Sequence, residues 1–249
     1  MQNIKPLKRF GQNYLTDENI INKIVSEFNP EPEDQILEIG PGKGSLTAML
    51  LQRVDKISAI EIDRRVILEL RKKFKNLKLV EKDFLEINLS EFYRNKKLRI
   101  IGNIPYNLTS PILFKLMQEN NVTNDCVLMV QLEVAKRMIA KQGSKDYGIL
   151  TVLLSYFSDT KLCFKISPNV FYPKPRVHSA LVHIFFKELS EEKEYQKTFI
   201  KIVKAAFGNR RKTLKNSFGN SVFKDVNFAS SGIDLSKRAE QLSIDEFKV

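Results

Sequence analysis

The chain is short of the residues that announce several familiar chemistries. Its 249 residues include two cysteines, Cys126 and Cys163, and two histidines, His178 and His183. Two cysteines are too few for a metal cluster. Both lie in apolar runs, so buried reduced thiols are expected and a metal is not. The histidines read as ordinary strand or loop residues away from any reactive edge. Long apolar runs are missing as well. The longest, Ile149–Phe157, is less than half of the roughly 20 residues that span a bilayer. The N-terminal MQNIKPLKRFGQNYL lacks the apolar stretch of a signal peptide. A membrane partner is not expected, and a cytoplasmic protein is. Acid is scarce beside base: 29 Asp and Glu face 41 Lys and Arg, for a net charge of +12. Such an excess usually meets a polyanion, here nucleic acid. There is no internal repeat and no low-complexity segment.

What is present is an alternation. Gln35–Ile39, Ile57–Ile62, Leu77–Val80, Leu98–Ile101 and Cys126–Val130 read as short buried strands. Helical patterns such as Ser45–Arg53 and Arg64–Phe74 lie between them. Strand, helix, strand, helix predicts an α/β fold with a parallel sheet. Leu150–Phe157 and His178–Phe186 are two further strand candidates, joined by a loop punctuated by Pro168, Pro173 and Pro175. The run ELSEEKE, from Glu188 to Glu194, reads as a linker. Beyond it, Phe199, Ile202, Val203, Ala206 and Phe207 fall on one helix face, and Lys193, Lys197, Lys201 and Lys204 on the other. The expected organisation is a domain over 1–188 and a small helical domain over 189–249.

One spacing carries chemistry. Gly40, Glu61, Asp83 and Asn103 stand 21, 22 and 20 residues apart, about one βα unit each. Each should therefore sit at the carboxyl end of successive parallel strands, the edge where open α/β sheets bind ligands. The segment EIGPGKG at Glu38–Gly44 supplies a glycine turn that admits close backbone approach. Glu61 can accept from two ribose hydroxyls, and Asp83 from an adenine amine. Singly these are a tight turn, a solvated strand end and a helix cap; at this regular spacing they form a nucleoside-cofactor site. A dinucleotide fits poorly, because Ser45 occupies the slot of the third glycine of G-x-G-x-x-G, and no G-x-x-x-x-G-K-[ST] loop exists. Glycine turn, ribose acid, adenine acid and then an Asn-Pro segment is the layout of class I methyltransferases, so S-adenosylmethionine is the expected cofactor.

Asn103-Ile104-Pro105-Tyr106 resembles the N-x-P-[YF] motif of adenine amino methyltransferases. An exocyclic adenine amine is a poor nucleophile, since its lone pair is delocalised into the ring. The Asn103 side-chain carbonyl and the Ile104 backbone carbonyl can hold both N–H groups, Pro105 stiffens the turn, and Tyr106 can stack on the base. The base must leave its helix or arrive from an unpaired loop. No strong base is required, and positioning should supply most of the rate. The plainer reading of the segment is a turn that caps a helix at Thr109–Pro111.

Taken end to end, the chain resembles the ribosomal small-subunit rRNA adenine dimethyltransferases (the KsgA family). The matching segments are KRFGQNYL at Lys8–Leu15, EIGPGKGSLT at Glu38–Thr47, AIEID at Ala59–Asp63, EKDF at Glu81–Phe84 and GNIPYNLTSPIL at Gly102–Leu113. YGILTVLL at Tyr147–Leu154, VFYPKPRVHSALV at Val170–Val182, AFGNRRKTLKNSF at Ala205–Phe218 and RAEQLS at Arg238–Ser243 follow. The resemblance implies a seven-stranded Rossmann-like methyltransferase sheet with a small helical C-terminal domain. It also implies dimethylation of the N6 amines of two adjacent adenosines near the 3′ end of 16S rRNA, in the immature 30S subunit. Residue by residue, it implies that Asn13 and Leu15 close over the cofactor, Gly40 meets it through backbone, Glu61 binds ribose and Asp83 binds adenine. Asn103 then lines both cofactor and target amine, and Phe171 lies against the target base or anchors its loop. His178 replaces a usual aspartate, Lys43 replaces a commonly apolar residue, and the chain stops soon after RAEQLS, where many members carry a tail.

The basic stretch Lys201, Lys204, Arg210, Arg211, Lys212 and Lys215 is expected to meet rRNA phosphates. The chain is expected to act as a monomer. Two other readings stay open: a 23S rRNA adenine methyltransferase of the macrolide-resistance type, and a ribosome-assembly factor that keeps the fold. AFGNRRKTLKNSF argues against the first, and the intact Gly40, Glu61, Asp83 and Asn103 set against the second.

Overall fold

The computed structural model describes residues 5–7 and 11–248. Lys8, Arg9 and Phe10 of the KRFGQNYL segment lie outside the described residues. In chain order the strands are β1 (Tyr14–Leu15), β2 (Gln35–Ile39), β3 (Ile57–Glu61), β4 (Leu77–Glu81), β5 (Leu98–Asn103), β6 (Thr123–Gln131), β7 (Ser158–Ile166), β8 (Phe171–Tyr172) and β9 (Ser179–Phe186). The helices are α1 (Glu18–Phe28), α2 (Ser45–Leu50), α3 (Arg64–Lys73), α4 (Thr109–Gln118), α5 (Leu132–Met138), α6 (Ile149–Phe157), α7 (Lys193–Ala206), α8 (Leu214–Gly219) and α9 (Ile244–Phe247).

Seven strands form one sheet in the order β4-β3-β2-β5-β6-β9-β7. Strands β2 to β6 are parallel and β9 runs antiparallel to β6. The chain winds outward from β2 to β4, then returns to β5 on the other side of β2. The strand order thus reverses between β2 and β5, and open α/β sheets bind ligands at such a point. Pairing of Ile39 with Gly102 brings the ends of β2 and β5 level.

Local chemistry explains how the elements start. Asp17 caps α1 by accepting from the Ile20 N–H at 3.0 Å, and Asp63 caps α3 by accepting from the Arg65 N–H at 3.1 Å. Helix α2 begins at Gly44, which has φ +77°, and a Cβ there would lie 2.6 Å from the Phe74 ring. Only glycine meets both conditions, so Gly44 lets α2 close on the end of α3.

One expected strand is a helix. Residues 150–157 form α6, and the strand beside it is β7. Thr151, Val152, Leu153, Leu154, Tyr156 and Phe157 of α6 are all buried. A helix buried around most of its circumference shows little amphipathic period, and its apolar run imitates a buried strand. The seventh strand is instead SDTKLCFKI. The expected buried thiols also divide: Cys126 is buried, whereas Cys163 on β7 is half-buried, and both are free.

The chain forms two compact units, 1–135 with 161–187 and 136–160 with 188–249. This differs from a single cut at 188, because α6 and its flanks belong with the C-terminal helices. In that second unit Tyr156 of α6 stacks on Phe199 of α7 at 4.2 Å between ring centroids. The buried face of α7 is Gln196, Phe199, Ile200, Val203 and Ala206. Ile200 takes the place expected for Ile202, which is half-buried.

Candidate active site

The four regularly spaced positions come together around one cavity of about 240 Å³ in the first unit. Asn13, Leu15, Gly40, Glu61, Asp83, Asn103, Ile104, Pro105 and Tyr106 all line it. The parallel register explains why: Gly40 follows β2, Glu61 ends β3, Asp83 follows β4 and Asn103 ends β5.

Glu61 is 6% exposed. Its Oε1 accepts from the Ile62 and Asp63 N–H groups, both at 2.9 Å, and its Oε2 from the Gly42 N–H at 3.3 Å. Burial pushes the carboxyl above its ordinary range, while these N–H bonds pull the other way. Asp83 caps a short 3-10 turn, accepting from the Leu85 N–H at 2.9 Å through Oδ1. Its expected reading as a helix cap therefore holds, and the same side chain lines the cavity. Gly40 has φ +63°, and nothing lies within 4 Å of the position its Cβ would take. The strand end is open there to a ligand.

Asn103 shows a defined amide orientation. Its Nδ2 donates to the Asn13 carbonyl at 2.7 Å. Among the described residues nothing donates to Asn103 Oδ1 or to the Ile104 carbonyl, so two acceptors are left at the cavity. Tyr106 is half-buried, with its hydroxyl 2.6 Å from Ser179 Oγ on β9. Burial raises its pKa against the effect of that bond, so the phenol stays neutral.

An N-terminal strap covers this edge. Ser45 Oγ donates to the Leu15 carbonyl at 3.0 Å, and Gln12 Nε2 donates to Asp63 Oδ2 at 3.0 Å. Among the described residues the buried hydroxyl of Tyr14, on the same strap, has no partner, and burial next to Asp63 and Glu61 pushes its pKa up to about 12.

The cavity holds an acid that sequence reasoning did not assign. Glu38 is 1% exposed and accepts from Thr47 Oγ1 at 2.6 Å. Burial, opposed by the Thr47 bond and helped by the Glu61 charge, lifts its pKa from 4.5 to about 7. The only signal was an acid inside a buried strand. The unfolded carboxyl ionises near 4.5 and the folded one near 7. This contribution to stability is therefore complete below pH 4.5 and is lost as pH rises through 7. At about 1.4 kcal/mol per pKa unit, the loss approaches roughly 3 kcal/mol. In urea titrations at pH 5 and pH 8, Glu38→Gln should show a flatter pH profile than the native chain; parallel profiles would exclude a neutral Glu38.

Two expected site residues, Phe171 and Arg210, stand elsewhere or do other work, and His183 is the ordinary strand residue expected. Phe171 does not line the cavity. It is 4% exposed, pairs with Leu15 through β8 and β1, and packs with Ile24, Phe28 and Leu181. It anchors the loop. His183 is buried on β9 with Nε2 at 2.7 Å from Asp125 Oδ2, and no histidine lines the cavity among the described residues. In the second unit Arg210 Nη2 donates to the Lys145 and Tyr147 carbonyls at 2.8 and 3.0 Å, which ties it to its own unit. Lys201, Lys204, Arg211, Lys212 and Lys215 are exposed there.

The family model described as ribosomal RNA adenine dimethylase matches residues 3–248. The chain belongs to that family. Among its dimethylase relatives, the ribosomal RNA small subunit methyltransferase A of Chlorobium phaeobacteroides (strain BS1) is 43% identical over 240 residues. That match covers 96% of this chain and 90% of the relative. The protein of the same name from Xylella fastidiosa (strain Temecula1 / ATCC 700964) is 40% identical, covering 96% and 92%. A dimethyladenosine transferase from Plasmodium falciparum superposes with a TM-score of 0.76 at 26% identity, covering 94% of each chain. The 23S rRNA methyltransferase ErmE superposes at 0.68 with 24% identity, covering 94% and 96%, and shares the fold. Within the dimethylase chain the RAEQLS segment has a structural job. The Glu240, Gln241 and Leu242 carbonyls accept from the Gly143 N–H, Gln142 Nε2 and Tyr147 hydroxyl. Among the described residues no helix is long and apolar enough to cross a membrane.

Proposed function

We propose that the chain transfers methyl groups from S-adenosylmethionine to the N6 amines of two adjacent adenosines near the 3′ end of 16S rRNA, in the immature 30S subunit. The observation that carries this reading is the pair of open acceptors, Asn103 Oδ1 and the Ile104 carbonyl, at the strand-order reversal and in the same cavity as Glu61.

The residues fit the cofactor. Glu61 offers a buried carboxylate to ribose hydroxyls, Asp83 keeps Oδ2 for the adenine amine, and Gly40 leaves room for close backbone approach. Leu15 and Asn13 would close the site from the strap. When bound, S-adenosylmethionine supplies a methyl group already activated as a sulfonium. The chain then has three tasks. Asn103 and Ile104 accept from the two N–H groups of the amine and favour the pyramidal form with a localised lone pair. The Asn13 carbonyl holds the Asn103 amide so that its oxygen, not its nitrogen, meets the amine. Tyr106, fixed by Ser179, offers its ring for stacking. No side chain needs to remove a proton before attack, because the methylated amine is acidic enough to shed its proton to water afterwards.

The 16S assignment follows the small-subunit relatives at about 40% identity along nearly the whole chain. Incubation with immature 30S particles and with naked 23S rRNA, followed by mass mapping, separates the two substrates. Dimethylation of adjacent adenosines in 16S rRNA is expected; activity on 23S rRNA alone would sink the reading.

Lys201, Lys204, Arg211, Lys212 and Lys215 are proposed to meet rRNA phosphates, while Arg210 serves the fold. If these five side chains each neutralise one phosphate, log K against log salt should have a slope of about −4. A flat response in filter-binding assays between low and physiological salt would remove them from the interface.

A further inference from the structure

The second unit contains an open cleft of its own, of about 280 Å³, bounded by the end of α7, the turn that follows it and α8. Its walls include Asn209, Lys212, Asn216, Ser217 and Asn220, and among the described residues no carboxylate lines it. Ser217 lines the cleft and is 6% exposed, and among the described residues its buried Oγ has no partner. Buried hydroxyls are normally satisfied, so a small shift of this side chain toward a ligand costs it no existing bond. The other serine in the wall is not in that state. Ser221 Oγ donates to the Phe218 carbonyl at 2.8 Å and accepts from the Phe223 N–H at 3.1 Å.

The remaining polar groups have capacity to spare. Asn209 Oδ1 accepts from the Arg211 N–H at 3.3 Å, which leaves its Nδ2 to donate. Asn220 Nδ2 donates to the Asn216 carbonyl at 2.7 Å, which leaves its Oδ1 to accept. The Lys212 ammonium makes no ion pair among the described residues. Amides that can both donate and accept, a hydroxyl and one cation suit a ligand with polar edges and a single negative charge. The volume lies just below the range of ordinary small-molecule pockets, about 300 to 1,000 Å³, which suits a ligand as small as one nucleotide.

We propose that this cleft is an RNA subsite that takes one unstacked nucleotide of the rRNA substrate. Lys212 meets its phosphate, while Asn216, Ser217 and Asn220 meet its sugar or base edge. Unpaired nucleotides expose edges that paired ones hide, which makes them the usual targets of such pockets. The proposal rests on the reading of rRNA as substrate, and it adds a point of recognition apart from the methyl-transfer cavity.

The test is binding of immature 30S particles by filter assay. Three variants are compared with the native chain: Asn216→Asp, Ser217→Val and Val222→Asp. The first places a negative charge in the cleft wall. The third adds the same charge at a residue that is 82% exposed and outside the wall. Asn216→Asp is expected to weaken binding about tenfold and Ser217→Val about threefold, with Val222→Asp within about twofold of native. Thermal unfolding identifies a variant that fails to fold, and if Ser217→Val does, Asn216→Asp carries the test alone. Equal weakening by Asn216→Asp and Val222→Asp, or none by Asn216→Asp, would overturn the subsite while leaving the substrate reading intact. Failure of the native chain to bind the particles would instead strike the substrate reading itself.

Discussion

Replacing Asn103 by alanine is expected to reduce methyl transfer about a thousandfold, the scale seen when one preorganised polar group is removed from a reacting centre. The variant loses the Oδ1 that accepts from the amine, and the Ile104 carbonyl alone cannot fix its geometry. It also loses the bond to the Asn13 carbonyl, so cofactor affinity should fall by only a few-fold. Transfer of a labelled methyl group to immature 30S particles measures the first effect, and calorimetric titration with S-adenosylmethionine the second. Near-native turnover would remove Asn103 from the reacting centre. A large loss of cofactor affinity with intact turnover at saturation would make it a cofactor residue only.

Glu61→Ala attacks the other half of the site. The carboxylate is expected to accept charge-assisted bonds from ribose hydroxyls, and its loss should weaken S-adenosylmethionine binding about a hundredfold. The same substitution leaves the Gly42, Ile62 and Asp63 N–H groups without their acceptor, so stability should fall by about 1 to 3 kcal/mol. The two consequences separate in Glu61→Gln. Its Oε1 can still accept from the backbone, so stability should recover more fully than affinity. Native affinity in Glu61→Ala would show that the ribose is held elsewhere.

The line of site residues was legible because a parallel sheet converts spacing along the chain into position along an edge. Gly40, Glu61, Asp83 and Asn103 needed only the βα repeat to be aligned, and the register of β2 with β5 is the geometric form of that repeat. Other features have no such periodic signature. Strands β1 and β8 are two residues each, too short to alternate. Arg99 donates to Asp125 through Nε and Nη2 and to Asp34 through Nη1, partners 26 and 65 positions away that only the sheet brings together. Phe171 looks the same in sequence whether it faces a base or a core. Helix α6 reads as a strand in the sequence because burial of most of its surface weakens the pattern that distinguishes helix from strand.

The pairing of β1 with β8 has a consequence for the order of events. Thr16 donates to the Val170 carbonyl through both its N–H and its hydroxyl, at 2.9 and 3.0 Å, next to the Leu15–Phe171 pair. The strap over the cofactor cavity and the loop that leads to Pro173 are therefore one laced piece, and neither opens without loosening the other. A ligand that steadies either segment lowers the ordering cost for a ligand that needs its neighbour, and thermodynamic linkage makes that benefit mutual. Occupancy at one end of the lacing should thus slow departure from the other.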